Sequence, residues 1–211
     1  ITPSDITSIK FVTSAPGGFT QIGKLSTGLP VYQGTTSTEI AFVGENIICD
    51  GNARSLFSGL SKLTDIQFET FDTSKVNYMA GMFEGCSGLT ELDLSVFDTS
   101  NTVEMDSMFL GCSSLTNIVN NFDTSRVTDM SYMFYNCKKL ASVDVGKFNT
   151  SNVTTMRLMF TYCSALTSLD VSKFDTSNVK NMQSMFKSCS GLANLDVSKF
   201  NTSQVTEMWY M

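Results

Sequence analysis

Apolar positions along this chain recur on a fixed schedule. The block from Phe71 to Val96, FDTSKVNYMAGMFEGCSGLTELDLSV, returns with small edits at Phe97, Phe122, Phe148, Phe174 and Phe200. Those starts are 26 residues apart, except for 25 between Phe97 and Phe122. A period in this range marks a solenoid, whose units bury their apolar faces only against neighbours. Two patterns meet in each unit. Leu89-Thr90-Glu91-Leu92-Asp93-Leu94 has the spacing LxxLxL, which puts the last two leucines on one side of a short strand. Val76, Met79, Met82, Phe83 and Cys86 fall at i, i+3, i+6, i+7 and i+10, the spacing of one helical face. Asp72, Thr73 and Ser74 suit its N-terminal cap, and Gly85 closes it weakly.

The predicted fold is therefore an α/β repeat solenoid: a leucine-rich-repeat horseshoe with a short parallel strand and a short helix per coil. Residues 1–45 lie outside the repeat and alternate β-like runs (Ile9 to Val12, Glu39 to Val43) with turn signals at Pro16-Gly17-Gly18 and Gly28-Leu29-Pro30. They read as a β-rich N-terminal cap. Residues 46–211 read as the solenoid: one eroded coil with Leu60 in the cysteine place, five full coils from Phe71, and a truncated last coil from Phe200. The coil that begins at Phe97 lacks one residue between Ile118 and Phe122 and carries Val103 one place late. Local distortion is expected at both places.

The unit FDTSxVxxMxxMFxxCxxLxxLDLSxF resembles the repeat of bacterial surface proteins, a branch of the BspA-like leucine-rich repeats. The resemblance spans roughly residues 46–211 and rests on five copies of Met-Phe-x-x-Cys-x-x-Leu. The better-studied pattern has Ala-Phe there and a period of about 23. The resemblance implies a secreted or anchored extracellular protein of the bacterial cell surface, used for adhesion or host contact.

Composition narrows the function classes. A net charge of −6 argues against nucleic acid and anionic membrane as partners. No run of about 18 apolar residues is present, so no membrane insertion is expected. The chain has no histidine, which removes Ser-His-Asp and Cys-His catalysis and histidine metal sites. An enzyme is not expected, and neither is a cofactor or metal. Beginning at Ile1 and stopping at Met211 partway through a repeat, the chain reads as a piece of a longer protein whose raw edge invites end-to-end self-association.

The remaining candidates are columns. Cys86, Cys112, Cys137, Cys163 and Cys189 are expected as free, buried thiols, with Cys49 as the more exposed one. Met79, Met82, Phe83 and their counterparts are expected as core. Thr73, Thr99, Thr124, Thr150, Thr176 and Thr202 read as turn residues that bond backbone between coils. Asp93, Asp144, Asp170 and Asp196 should face outward on the concave sheet, with Lys147, Lys173 and Lys199 three residues on to offset their repulsion. These seven residues are the candidate ligand-binding face, for a basic or polar partner; a merely solvated face is the competing reading. Tyr78, Tyr132, Tyr135, Tyr162, Trp209 and Tyr210 vary between copies and serve either contact or packing between neighbouring helices. The functional expectation is an adhesin-like module that binds host protein or glycan; the alternative is a spacer that displays another domain.

Overall fold

The computed structural model describes residues 5–12, 20–22, 39–43, 47–49 and 51–211. Among them no α-helix forms, so the α/β leucine-rich-repeat horseshoe solenoid with a helix in each coil is not the fold of this chain. Where the helix was expected, the backbone makes a run of tight turns. The amides of Met82, Glu84 and Cys86 donate to the carbonyls of Met79, Gly81 and Phe83, each three residues back. The amides between them point elsewhere. Met79, Gly81, Phe83 and Gly85 donate to Glu104, Asp106, Met108 and Leu110 of the next winding at 2.7–3.0 Å. An α-helix would use those amides within itself, four residues back.

Backbone handedness enforces the difference. Gly81 and Gly85 have φ of 62° and 72°, and the same two places are left-handed in the neighbouring windings, at Ser55 and Gly59, Ser107 and Gly111, Tyr132 and Asn136. A right-handed helix cannot pass through such residues. The helix-like apolar spacing misled because the turns happen to point the same residues inward: Val76, Met79, Met82, Phe83 and Cys86 are all fully buried.

Successive windings register on one another through single parallel bridges, running Asn52, Tyr78, Glu104, Asp129, Thr155, Asn181 and Glu207. The strands are short: β1 (Ser8–Val12), β2 (Thr20–Ile22), β3 (Glu39–Val43), β4 (Ile47–Ile48), β5 (Asp65–Phe68), β6 (Phe71–Asp72), β7 (Glu91–Asp93) and β8 (Asn117–Val119). They form parallel sheets in the orders β2-β3-β1-β5, β4-β6 and β7-β8. β1 thus lies against β5, with Ile9 opposite Ile66 and Phe11 opposite Phe68. A strand in every unit was expected; the LxxLxL segments from Leu140, Leu166 and Leu192 form none. The turn signals at 16–18 and 28–30 lie outside the described residues.

Two aromatic and sulfur columns fill the interior. The rings of Phe57, Phe83, Phe109, Phe134, Phe160 and Phe186 stack one on the next, with centroids 5.3–5.9 Å apart and planes within 24°. Each buried ring is worth about 1.5–3 kcal/mol, and each ring pair about 0.5–1.5 kcal/mol more. Beside the rings, each column thiol donates to the carbonyl of a phenylalanine one winding earlier: Cys86 to Phe57 (3.0 Å), Cys112 to Phe83 (3.1 Å), Cys137 to Phe109 (3.2 Å), Cys163 to Phe134 (3.1 Å) and Cys189 to Phe160 (2.9 Å). A small apolar side chain with a weak donor is what such a place needs. The five column cysteines are free and buried. Cys49 is buried as well, contrary to the expectation of exposure there. Thr73, Thr99, Thr124, Thr150 and Thr176 are buried and donate to backbone carbonyls of the following winding at 2.9–3.0 Å.

The shortened winding shows its two irregularities differently. Thr102 takes the inward place that Val76 and Val127 hold elsewhere, is fully buried, and donates to the Val76 carbonyl at 3.1 Å. Val103 is displaced to a half-buried position. At the deletion, strand pairing of the LxxLxL segments stops: β8 pairs with β7 and with no described strand beyond it, and later segments keep only a bond at their start, from the Thr167 amide to the Ala141 carbonyl at 3.0 Å.

Candidate functional site

The LxxLxL segments bring the predicted aspartates onto one exposed face, although the winding between Asp93 and Asp144 has Val119 in the aspartate place. Asp93, Asp144, Asp170 and Asp196 are all exposed. Each carboxylate accepts the amide two residues on, from Ser95, Gly146, Ser172 and Ser198, at 2.9 Å. These are Asx turns, which close the bend leaving the segment. Bonds from the side chain and amide of Ser95 hold Asp93 below the usual carboxylate range, and Ser172 does the same for Asp170. For Asp196 the Ser198 amide and then its hydroxyl do so, with Lys199 adding a smaller pull.

The lysines behave less uniformly than their spacing suggests. Lys147 donates to Asn121 of the preceding winding at 2.9 Å. Lys173 and Lys199 lower Asp170 and Asp196 at longer range, and neither forms an ion pair with any described residue.

Past the deletion the face opens. No backbone hydrogen bond joins residues 142–144 to 168–170, or 168–170 to 193–194. The resulting depression, about 530 Å³, spans three windings. Its polar wall is Ser142, Asp144, Thr167, Ser168, Asp170 and Asn194, and its apolar floor Val143, Leu169 and Ala193. Two of the seven predicted residues, Asp144 and Asp170, therefore share a concavity. Asp93 lines a separate hollow of about 220 Å³ with Gln67, Glu69 and Ser95. The sequence signal for the remaining polar lining was present: these residues fill the outward places of LxxLxL, but nothing in the spacing said that the strands would part.

The turn-built face carries the tyrosines. Tyr132, Tyr135 and Tyr162 meet edge to face, with centroid separations of 5.6 Å. They do not pack between helices, because no α-helix forms among the described residues. The guanidinium of Arg157 lies 5.4 Å from the Tyr132 ring centre, and the Lys187 ammonium 4.8 Å from that of Tyr210. Tyr132, Tyr162 and Tyr210 have φ of 59°, 63° and 57°. A bulky residue held there costs on the order of 1–3 kcal/mol. On the same face, nearer the first windings, Arg54 covers the Tyr78 ring at 3.8 Å and bonds Glu104 through Nε at 3.0 Å, which ties three windings together.

Set against known proteins, the chain matches a family model described as "Mycoplasma protein of unknown function, DUF285", over residues 51–144 and again over 137–211. No curated protein and no solved structure matches it.

Proposed function

We propose that this chain, which belongs to the DUF285 family, is a non-catalytic binding module of a bacterial cell surface that engages a host extracellular protein or glycan. The observation that carries the reading is the depression over residues 142–194. There, carboxylates, hydroxyls and unpaired backbone groups from three windings converge on one concave, solvent-open surface. Convergent polar groups over a small apolar floor are what fixes the orientation of a bound polar ligand. The resemblance of the repeat unit to bacterial surface proteins supports the same reading. A spacer that displays another domain is the second reading, favoured by the uniformity of the interior columns.

The test is binding of the chain to a panel of host matrix proteins, mucins and glycans at physiological salt. A triple variant, Asp144→Asn, Asp170→Asn and Asp196→Asn, removes charge but keeps the acceptor for each turn amide, as Asn149 and Asn201 do in their own turns. Specific binding that weakens at least about tenfold in this variant supports the reading. An absence of binding across the panel overturns it and leaves the spacer.

A further inference from the structure

The tyrosine-bearing turn face has a chemistry of its own. Two left-handed places per winding are filled by glycine or serine in the first windings, at Ser55, Gly59, Gly81, Gly85, Ser107 and Gly111. From Tyr132 onward, larger side chains enter several of these places, at Tyr132, Asn136, Leu158, Tyr162 and Tyr210, although local backbone sterics oppose them; serine holds the two at Ser184 and Ser188. Tyr162 packs edge to face on Tyr135 and still leaves 38% of its surface exposed. Strained side chains that stay open to solvent cluster at functional positions.

Charge on this face is also unlike the rest of the chain. The protein carries a net charge of −6. Yet Arg157 and Lys187 lie over tyrosine rings and have no carboxylate among the described residues within ion-pair distance. Arg157 spends Nε on the neutral Gln183 amide oxygen at 3.0 Å, which leaves its terminal nitrogens for another acceptor. The surface is thus a set of aromatic rings flanked by two cations that nothing described neutralises.

We infer that the face formed by Tyr132, Tyr135, Arg157, Tyr162 and Lys187 binds an acidic polysaccharide. A pyranose ring presents flat C–H faces that lie well on tyrosine. Its carboxylate or sulfate group would take the free guanidinium nitrogens and the ammonium. The rings cross at 60° and 83° with centroids 5.6 Å apart, so they form one mixed edge-and-face aromatic wall against which a single sugar unit can rest. This site is distinct from the aspartate-lined depression, which belongs to the LxxLxL segments, and it stands or fails separately.

The test exploits the left-handed backbone. In Tyr132→Gly and Tyr162→Gly, the new residue takes positive φ without strain, a gain that offsets the lost ring contacts, so the variants fold. Binding is measured by calorimetry with hyaluronan, a heparin oligosaccharide and neutral dextran as probes. The expected result has three parts: binding of one or both acidic probes and not of dextran; affinity that falls steeply with salt; and at least about a tenfold loss in the tyrosine variants and in Arg157→Gln/Lys187→Gln, with unfolding midpoints unchanged or raised. The Asp144/Asp170/Asp196 asparagine variant should bind the acidic probe as the parent does. Three outcomes would overturn the inference: no acidic probe binding, equal binding of dextran, or tyrosine variants that unfold earlier while keeping their affinity.

Discussion

The windings before Asn120 and those after it share an interior and differ on both faces. In the first group, left-handed places are held mostly by glycine, and LxxLxL segments pair as β7 and β8. In the second, Tyr132, Asn136, Leu158, Tyr162, Ser184, Ser188 and Tyr210 hold those places, and the corresponding segments part to leave a depression. The phenylalanine stack and the thiol column run through both without a break. Stability here is therefore a property of the inward columns and the winding-to-winding backbone bonds, and the surface is left free to diverge. Divergence concentrates in the second group, and both proposed sites lie there.

The largest test of that shared interior is alkaline pH. Burial pushes the Cys86 thiol up to about 12 and Cys189 up to about 11, and it raises Cys112, Cys137 and Cys163 as well. A folded value above the unfolded one means that stability is complete below the unfolded thiol value, near 9, and is lost as pH climbs toward the folded values. Between pH 9 and 10 each column thiol should cost about 1 kcal/mol, several in sum, distributed over both groups of windings. Denaturant unfolding against pH checks this, with a shallower loss expected for Cys112→Ala.

Next in size is the ring stack. Phe83→Ala in the first group and Phe134→Ala in the second should each cost about 3–5 kcal/mol, because both rings are buried between two others. A clear inequality between them in denaturant melts would break the idea of a common interior.

Smaller effects sharpen the contrast at the surface. A Cβ on Gly111 would meet nothing closer than 3.7 Å, so only its φ of 74° opposes alanine. Gly111→Ala should destabilise by about 1 kcal/mol, whereas Asn136→Gly, at the equivalent place with a φ of 63°, should gain about a few tenths of a kcal/mol. Opposite signs at equivalent places in the thermal midpoint would confirm that the second group tolerates strain that the first avoids. Smallest is Asp106→Asn. Desolvation first, then Asp129 and Glu104, raises the Asp106 carboxyl, so its charge opposes folding once pH rises through the folded value. The variant should be more stable than the parent at pH 7, by under about 1 kcal/mol, and equal to it below pH 3.8, where both folded and unfolded carboxyls are protonated.

Sequence alone determined which side chains are inside. A repeat with Met-Phe-x-x-Cys-x-x-Leu at constant spacing leaves one consistent set of inward columns, and Met79, Met82, Phe83, Cys86 and Leu89 are all fully buried. It also exposed the outward aspartates and the inter-winding role of the threonines. Tertiary structure decided the path of the backbone. Spacing at i, i+3, i+6 and i+7 is common to one helical face and to this chain of turns, and side-chain periodicity cannot separate them. What separates them is where the amides of Met79, Gly81, Phe83 and Gly85 find carbonyls, and those acceptors lie a full winding away in Glu104 to Leu110. The same holds for the two proposed sites. Asp144 and Asp170 become one concavity, and Tyr132, Tyr135 and Tyr162 one surface, only because residues about 26 positions apart are set side by side by the stacking.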